Sequence, residues 1–390
     1  MKLSHRITHI NEGGSDGWEV FVRARRMIAS GTPVTELTIG EHDVRTDPTI
    51  LRAMYDAAAA GHTGYALIPG TDELRDAVAA RVSERTGVPT TRDNVLITAG
   101  GQAALFAAHS AVCDEGDRAL FIDPYYATYP GTIRAIGAQA VPVQASPDTG
   151  FQPRADDLAA VASGAKSLLV NSPNNPTGAV YSRETFEGIA KVCQDHDLWL
   201  ISDEVYDTQI WDGTHLSPRT LPGMAERTLV IGSLSKSHAM TGSRCGWIVG
   251  PEEAIAHMIN LSTCTNYGVS GFIQDAGLFA LNQGPGLEAQ ISEPFRRRRD
   301  KALEALAQQN VVGYVPPDGA MYLMLDIRAT GLTGEAFANA LLDEHKVAVM
   351  PGESFGKAAA GFLRVAMTVE DDRFIAALET LCQFAEQHAA

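Results

Sequence analysis

Residues Ser233–Gly246 read SLSKSHAMTGSRCG and follow the apolar run TLVIG at Thr228–Gly232. A lysine ordinarily keeps its ammonium in water among charged neighbours. Lys236 instead stands among Ser, Ala, Gly and Thr, with Arg244 eight positions later. Small neighbours leave a long side chain room to swing. The stretch ends a strand candidate, so its meaning depends on what the other strand ends carry.

From about residue 90, short apolar runs alternate with helical patterns. The strand candidates are NVLITA, RALFID, QAVPVQ, KSLLVN, LWLISD, TLVIGS and SRCGWIVG, and segments such as RETFEGIAKVCQDH fill most gaps. Nearly continuous apolar runs are what strands buried on both faces require. Alternation with helices predicts an α/β fold: a largely parallel, helix-covered sheet with functional loops at the strands' carboxyl ends. Beyond residue 250 the pattern changes to a long helix, EAQISEPFRRRRDKALEALAQQ. The runs MYLMLDI, VAVMPG and FLRVAMT and a final helix, DDRFIAALETLCQFAEQ, follow it and predict a smaller α+β domain.

The 390 residues, 45% hydrophobic and 20% charged, suit a soluble chain of one large and one smaller domain. Lys and Arg number 31 against 47 Asp and Glu, a net −16 that disfavours nucleic acid and anionic membranes as partners. The run Arg296–Arg299 reads as a solvated helix stretch in preference to an anion patch. Five cysteines without CxxC spacing predict reduced thiols and no metal site. The opening MKLSHRITHINEGG lacks the apolar core of a signal peptide, and no apolar stretch approaches the ~18 residues of a membrane span. A cytoplasmic protein is expected.

Two familiar phosphate motifs fail. GESFGKA at Gly352–Ala358 is one residue short of a P-loop and has Ala where Ser or Thr would hold magnesium. No GxGxxG follows an early strand. The strand ends carry other chemistry. Gly100 and Gly101 open a helix just past NVLITA, either a plain tight turn or an anion site of free amides at the positive end of a helix dipole. Asp203 ends LWLISD, where a carboxylate needs a cation or an open cleft unless it is a helix cap, and Tyr206 follows it. NSPNNPTGAV ends a further strand with Asn174 and Asn175, in a turn that also sets an amide on the same rim. With Lys236 these are the parts of a pyridoxal phosphate site: an imine-forming lysine, an acid for the pyridine nitrogen and a phosphate anchor.

The run Ser233-Leu234-Ser235-Lys236, then Arg244 and Gly246, together with NNPTG and SDEVY, resembles the class I/II aminotransferases of fold type I over nearly the whole chain. Cys245 stands where that family usually has an aliphatic residue or Ala. The resemblance implies a large domain at 48–287 around a mostly parallel seven-stranded sheet. It implies a smaller α+β domain formed by the two chain ends, 1–47 and 288–390. Lys236 would hold pyridoxal 5'-phosphate as an internal aldimine and carry the proton, and Asp203 would pair with the pyridinium. Tyr206 and Asn175 would bond the phenolic oxygen, and Tyr126, often Trp in the family, would stack on the ring. Gly100, Gly101, Gln102, Ser233, Ser235 and Arg244 would hold the phosphate. Tyr65, in GYALIPGTDELRDAVA, would reach the phosphate of a neighbouring subunit and make the active unit a homodimer. Gly40 in LTIGEHD, with Asn175, would lie against the substrate carboxylate, and Arg364 in FLRVAMT would clamp it. His42 replaces the proline usual after the Gly40 pair of residues.

The set Lys236, Tyr206, Asn175 and Arg364 favours transamination of an α-amino acid with a 2-oxo acid. Fold type I also hosts lyases that perform β-elimination, and non-catalytic sensors, so both stay open. Aspartate-using relatives carry a lysine in GGKQAL that helps read a side-chain carboxylate. Here GGQAAL has neutral Gln102 at that place. HDLWLISDEVYDTQIWDGTHLSP and SLSKSHAMTG are similar to bacterial arginine–pyruvate transaminases, which implies a basic or neutral donor and pyruvate as acceptor.

Overall fold

A computed structural model describes residues 1–12 and 17–389. Seven strands form its main sheet, in the order Val95–Thr98, Gly246–Val249, Thr228–Ser233, Trp199–Asp203, Ala165–Asn171, Arg118–Asp123, Gln139–Gln144. Gly246–Val249 runs antiparallel to both its neighbours, and the other pairings are parallel. The mostly parallel α/β sheet expected from the apolar runs is therefore present. Val95–Thr98, Thr228–Ser233 and Gly246–Val249 are buried at every position, as a sheet covered on both faces demands. Arg183–Asp195 shows how the covering helices form. Ser182 caps it by accepting from the Thr185 amide, and Phe186, Ile189, Ala190 and Cys193 recur at helical spacing to bury one face.

The two chain ends build the second unit. An antiparallel four-stranded sheet runs Met350–Pro351, Phe362–Ala366, Tyr322–Asp326, Gly313–Val315. Thr35–Glu36 pairs in parallel with Val347–Ala348. Val20, Ala24 and Leu37 from the start of the chain share one apolar core with Phe295, Leu325, Phe337 and Phe384. The smaller α+β unit of both ends is thus a packed body.

The helix Pro285–Leu306 joins the units, and one expectation about it is corrected. The arginine run is helical but not simply solvated. Arg298 is buried, donates to Asp43 at 2.6 and 3.0 Å, and reaches Asp371 at 3.0 Å and the Met367 carbonyl at 3.0 Å. A stretch of one charge sign gave no sign that carboxylates from residues 43 and 371 fold onto it. All five cysteines are free thiols, and Cys264 is the exposed one. Among the described residues no cluster of His, Cys, Asp and Glu is arranged to hold a metal, and no helix is long and apolar enough to cross a membrane.

Candidate active site

The strand register sets the floor of a cavity of about 270 Å³. Asn171 and Asp203 end adjacent strands as register partners, and Ser233 ends the next strand over. Ser233 then caps the one-turn helix Leu234–Ser237 by accepting from the Ser235 amide at 3.1 Å, which delivers Lys236 into the cavity. The Lys236 Nζ donates to the Gly40 carbonyl and has the Tyr206 ring centre at 5.9 Å. Its pKa is lowered to about 8, first by burial and then by Arg364, against the opposing pull of Glu41.

Asp203 is 4% exposed. One carboxylate oxygen accepts from the Tyr129 hydroxyl at 2.7 Å and the other from the Val205 amide at 3.3 Å. Burial raises its pKa to about 6 against both hydrogen bonds. No cation among the described residues pairs with it, so this wall presents a buried acid suited to a cationic ring N–H.

The opposite end suits an anion. The helix Gly100–Val112 begins behind Ala99, which provides no side-chain cap, so its first amides face the cavity side uncapped. Gly100 has φ +78°, and a Cβ there would stand 2.4 Å from a terminal nitrogen of Arg244. Only glycine lets that guanidinium lie across the helix start. Arg244 donates to the Thr241 and Ala99 carbonyls at 2.9 and 3.3 Å, and no carboxylate among the described residues pairs with it. The Ser233 and Ser235 hydroxyls lie 2.9 Å apart beside it.

Arg364 comes from the smaller sheet, where Met324 and Met350 are its register partners. It is 1% exposed, with its guanidinium 4.5 Å from the Tyr322 ring centre and 4.3 Å from that of Phe355. It donates to Asn175 Oδ1 at 2.9 Å and to the Thr38 carbonyl, while its Nε has no partner among the described residues. Burial lowers its pKa. A buried guanidinium with no carboxylate beside it is a place for an incoming carboxylate. The Tyr206 and Tyr322 hydroxyls meet at 2.9 Å, and Asn175 Nδ2 donates to Tyr322 at 3.4 Å. A Cβ on Gly40 would lie 1.8 Å from that same Tyr322 hydroxyl, so the wall at Gly40 has to be bare backbone.

Every site residue expected from the sequence lines this cavity except two. Gly100 stands behind Arg244 and shapes the wall without forming it. Tyr65 is 92% exposed, packs edge-on to Tyr267 at 5.1 Å between ring centres, and is away from its own chain's cavity. Gln102 is held as a neutral amide, donating to Thr132 at 2.7 Å and accepting from Thr128 at 2.9 Å. His42 is buried edge-on against Phe295, and burial lowers its pKa to about 3, so the residue in the proline's place is neutral.

Sequence reasoning missed Asn171, Tyr129, Tyr322, Trp18 and Glu41 on the same wall. Asn171 carried the signal that exposed Asp203, a polar residue ending a buried run. Tyr129 and Tyr322 carried none, because the partners that define them lie 74 and 116 residues away in the chain. A second cavity of about 740 Å³ adjoins the first across Gln102 and Arg244.

Residues 32–381 match the family described as aminotransferase class I and II. The arginine–pyruvate transaminase AruH of Pseudomonas aeruginosa is 42% identical over 95% of this chain and 94% of its own. The aspartate/prephenate aminotransferase of Thermus thermophilus is 36% identical over 92% and 93%. The solved structure of aspartate aminotransferase from Thermus thermophilus with maleate superposes with a TM-score of 0.92 at 34% identity, covering 98% of this chain and all of that one. The cavity's separate provisions, a lysine, a buried acid that no described cation pairs with, and an uncapped helix start crossed by an arginine that no described carboxylate pairs with, fit the aldehyde, ring nitrogen and phosphate of pyridoxal 5'-phosphate. The chain belongs to the class I and II aminotransferases and is a pyridoxal phosphate-dependent transaminase.

Proposed function

We propose that the protein transfers the α-amino group of a basic or neutral amino acid to pyruvate, with Lys236 as proton carrier and Arg364 as anchor of the substrate carboxylate. One observation carries this reading. A lysine with its pKa lowered to about 8 shares a cavity with a buried arginine that has no carboxylate partner among the described residues.

Pyridoxal 5'-phosphate, when bound, supplies the electron sink that makes the substrate Cα proton acidic. The rest belongs to the chain. Gly101, Gln102, Ser233, Ser235 and Arg244 would hold the phosphate with the first helix amides, and Asp203 the ring nitrogen. Asn175 and Tyr206 would bond the phenolic oxygen, and Tyr126 would cover the ring. Arg364 orients the carboxylate through two parallel donors, which points the Cα–H bond toward Lys236. With a pKa of about 8, Lys236 Nζ is neutral in about a tenth of molecules at pH 7 and can take the Cα proton and return it.

Pyruvate and a basic donor are suggested by the name of the 42%-identical relative. Neutral Gln102, fixed by Thr128 and Thr132, offers no cation to an acidic donor side chain. We further propose a homodimer in which Tyr65 completes the neighbouring site, a reading supported by its exposure among Tyr55, Leu67 and Tyr267. The division into 48–287 and the paired ends 1–47 and 288–390 is supported by the shared core of the ends, and a cytoplasmic location is part of the same reading. Donors offered with pyruvate and with 2-oxoglutarate test it. Alanine formed from a basic or neutral donor supports it, and ammonia without a new amino acid overturns it in favour of a lyase.

A further inference from the structure

GESFGKA, Gly352–Ala358, has the look of a phosphate loop, yet two of its amides go to a carboxylate of the protein itself. Asp123 ends the strand Arg118–Asp123 and is 2% exposed. One of its carboxylate oxygens accepts from the Lys357 amide at 3.0 Å and the other from the Ala358 amide at 3.2 Å. Beside it, the Tyr125 amide donates to the Phe355 carbonyl at 2.9 Å. Gly356 has φ +115°, and a Cβ there would stand 2.0 Å from an Asp123 carboxylate oxygen, so the loop crosses directly over the carboxylate. The smaller unit holds the same loop through Glu353, which accepts from the Gly334 and Gly361 amides at 3.0 and 3.2 Å. Between these ties sits Phe355, fully buried, with its ring centre 4.3 Å from the Arg364 guanidinium.

Burial raises the Asp123 pKa to about 6 against the two amide bonds and the charge of Lys357. A buried carboxylate is costly, but an amide side chain of the same size would turn its NH₂ toward one of the two donors. We propose that Asp123 is a positioning residue for Arg364: it seats the Phe355 ring against the guanidinium and so sets how tightly the enzyme holds the α-carboxylate of its substrates. The proposal rests on the reading above in which Arg364 anchors that carboxylate. Arg364 has hydrogen bonds to Asn175 and Thr38, and the ring contact helps to fix the plane from which its remaining donors point. A tilted guanidinium weakens substrate and transition state alike, which raises the half-saturating concentration and leaves the chemical step unchanged.

Asp123→Asn and Phe355→Leu test this in single-turnover reactions of the loaded enzyme with alanine, the amino acid that pyruvate becomes. In each variant the half-saturating alanine concentration rises about tenfold, and the limiting rate stays within about twofold of wild type. The double variant rises little beyond the larger single effect, because both act through one contact. In an Arg364→Lys background, adding Asp123→Asn changes the second-order rate by less than about twofold. A merely structural role would lower the amount of active enzyme, hence the amplitude, and leave the half-saturating concentration alone. An unchanged half-saturating concentration in both variants, or fully additive effects, overturns the role of Asp123 and leaves Arg364 as the anchor. An Arg364→Lys enzyme that binds alanine as wild type does overturns the anchoring role as well, and the proposal with it.

Discussion

Burial sets the ionisations of Asp203 and Lys236 against the stability of the fold. The folded pKa of Asp203 is about 6, above its ordinary 3.8, so between those values the folded chain binds the proton that the unfolded chain has released. This group's contribution to stability therefore falls as pH rises from about 4 to about 6, and the loss is complete above that range. A shift of about two units corresponds to about 3 kcal/mol. Cofactor-free Asp203→Asn should accordingly be more stable than cofactor-free wild type at pH 7, by up to about 3 kcal/mol, with the difference closing toward pH 4. Tyr129 still has an amide oxygen to donate to, so the hydrogen bond survives. Urea denaturation at the two pH values measures it. If Asp203 holds the ring nitrogen as proposed, the same variant should lose about 100-fold or more in transamination, because no anion would then face that nitrogen. Lys236→Ala should lose about 10²–10⁴-fold and abolish the long-wavelength absorbance of the covalently held cofactor. A coloured, active Lys236→Ala protein would remove the proposed base from the mechanism.

The elements that aim these residues were legible to different degrees, and the reason is range. Arg118–Asp123 and Thr228–Ser233 are strands over the same residues that their apolar runs delimit, because a strand buried on both faces writes its need into consecutive positions, and Gln139–Gln144 matches its run as a largely exposed edge strand. Thr35–Glu36 and Gly313–Val315 were not legible, being too short to show a period and defined by partners far away in the chain. Asp203, Asn175 and Lys236 were readable as polar residues ending buried runs. Glu41, Trp18 and Tyr322 were not, since only tertiary folding brings them to the wall. Arg298 is the sharpest case. Its helix looked solvated, yet it binds the crossover segment through Asp43 and the last helix through Asp371. Hydrogen bonds from Arg297, Lys301 and Arg298 hold the Asp371 pKa below its ordinary value. At Asp43, burial raises the pKa but the Arg298 contacts outweigh it and lower it. Both carboxylates thus contribute stability that is present at neutral pH and lost as pH falls through their depressed folded values. Arg298→Met should destabilise the protein by about 1–3 kcal/mol at pH 7, since it strands Asp43 while Asp371 keeps Arg297 and Lys301, and should blunt its acid sensitivity. Thermal melts from pH 7 down to pH 3 read both effects.

At the scale of the molecule, the arrangement of Tyr65 decides whether one chain makes a working site. Its ring is 92% exposed, and Leu51, Tyr55, Leu67 and Tyr267 are exposed large apolar residues on neighbouring segments. Exposed apolar clusters of this sort mark surfaces that meet other proteins. A symmetric dimer places the same patch on both copies, so a tyrosine lost from one chain is lost from the other chain's site. That geometry makes a mixing experiment decisive. Lys236→Ala chains lack the base but carry Tyr65, and Tyr65→Ala chains carry the base but lack the donated phenol. In a mixed dimer of the proposed kind, the site built on the Tyr65→Ala chain would receive Tyr65 from its Lys236→Ala partner and be complete. Random exchange of equal amounts puts half the dimers in the mixed form with one complete site each, so about a quarter of wild-type activity should return. Denaturing and refolding the two variants together, then assaying against each refolded alone, measures the return. If Tyr65 served its own chain, every Lys236-bearing site in the mixture would still lack the phenol, and activity would not rise above the sum of the separate variants.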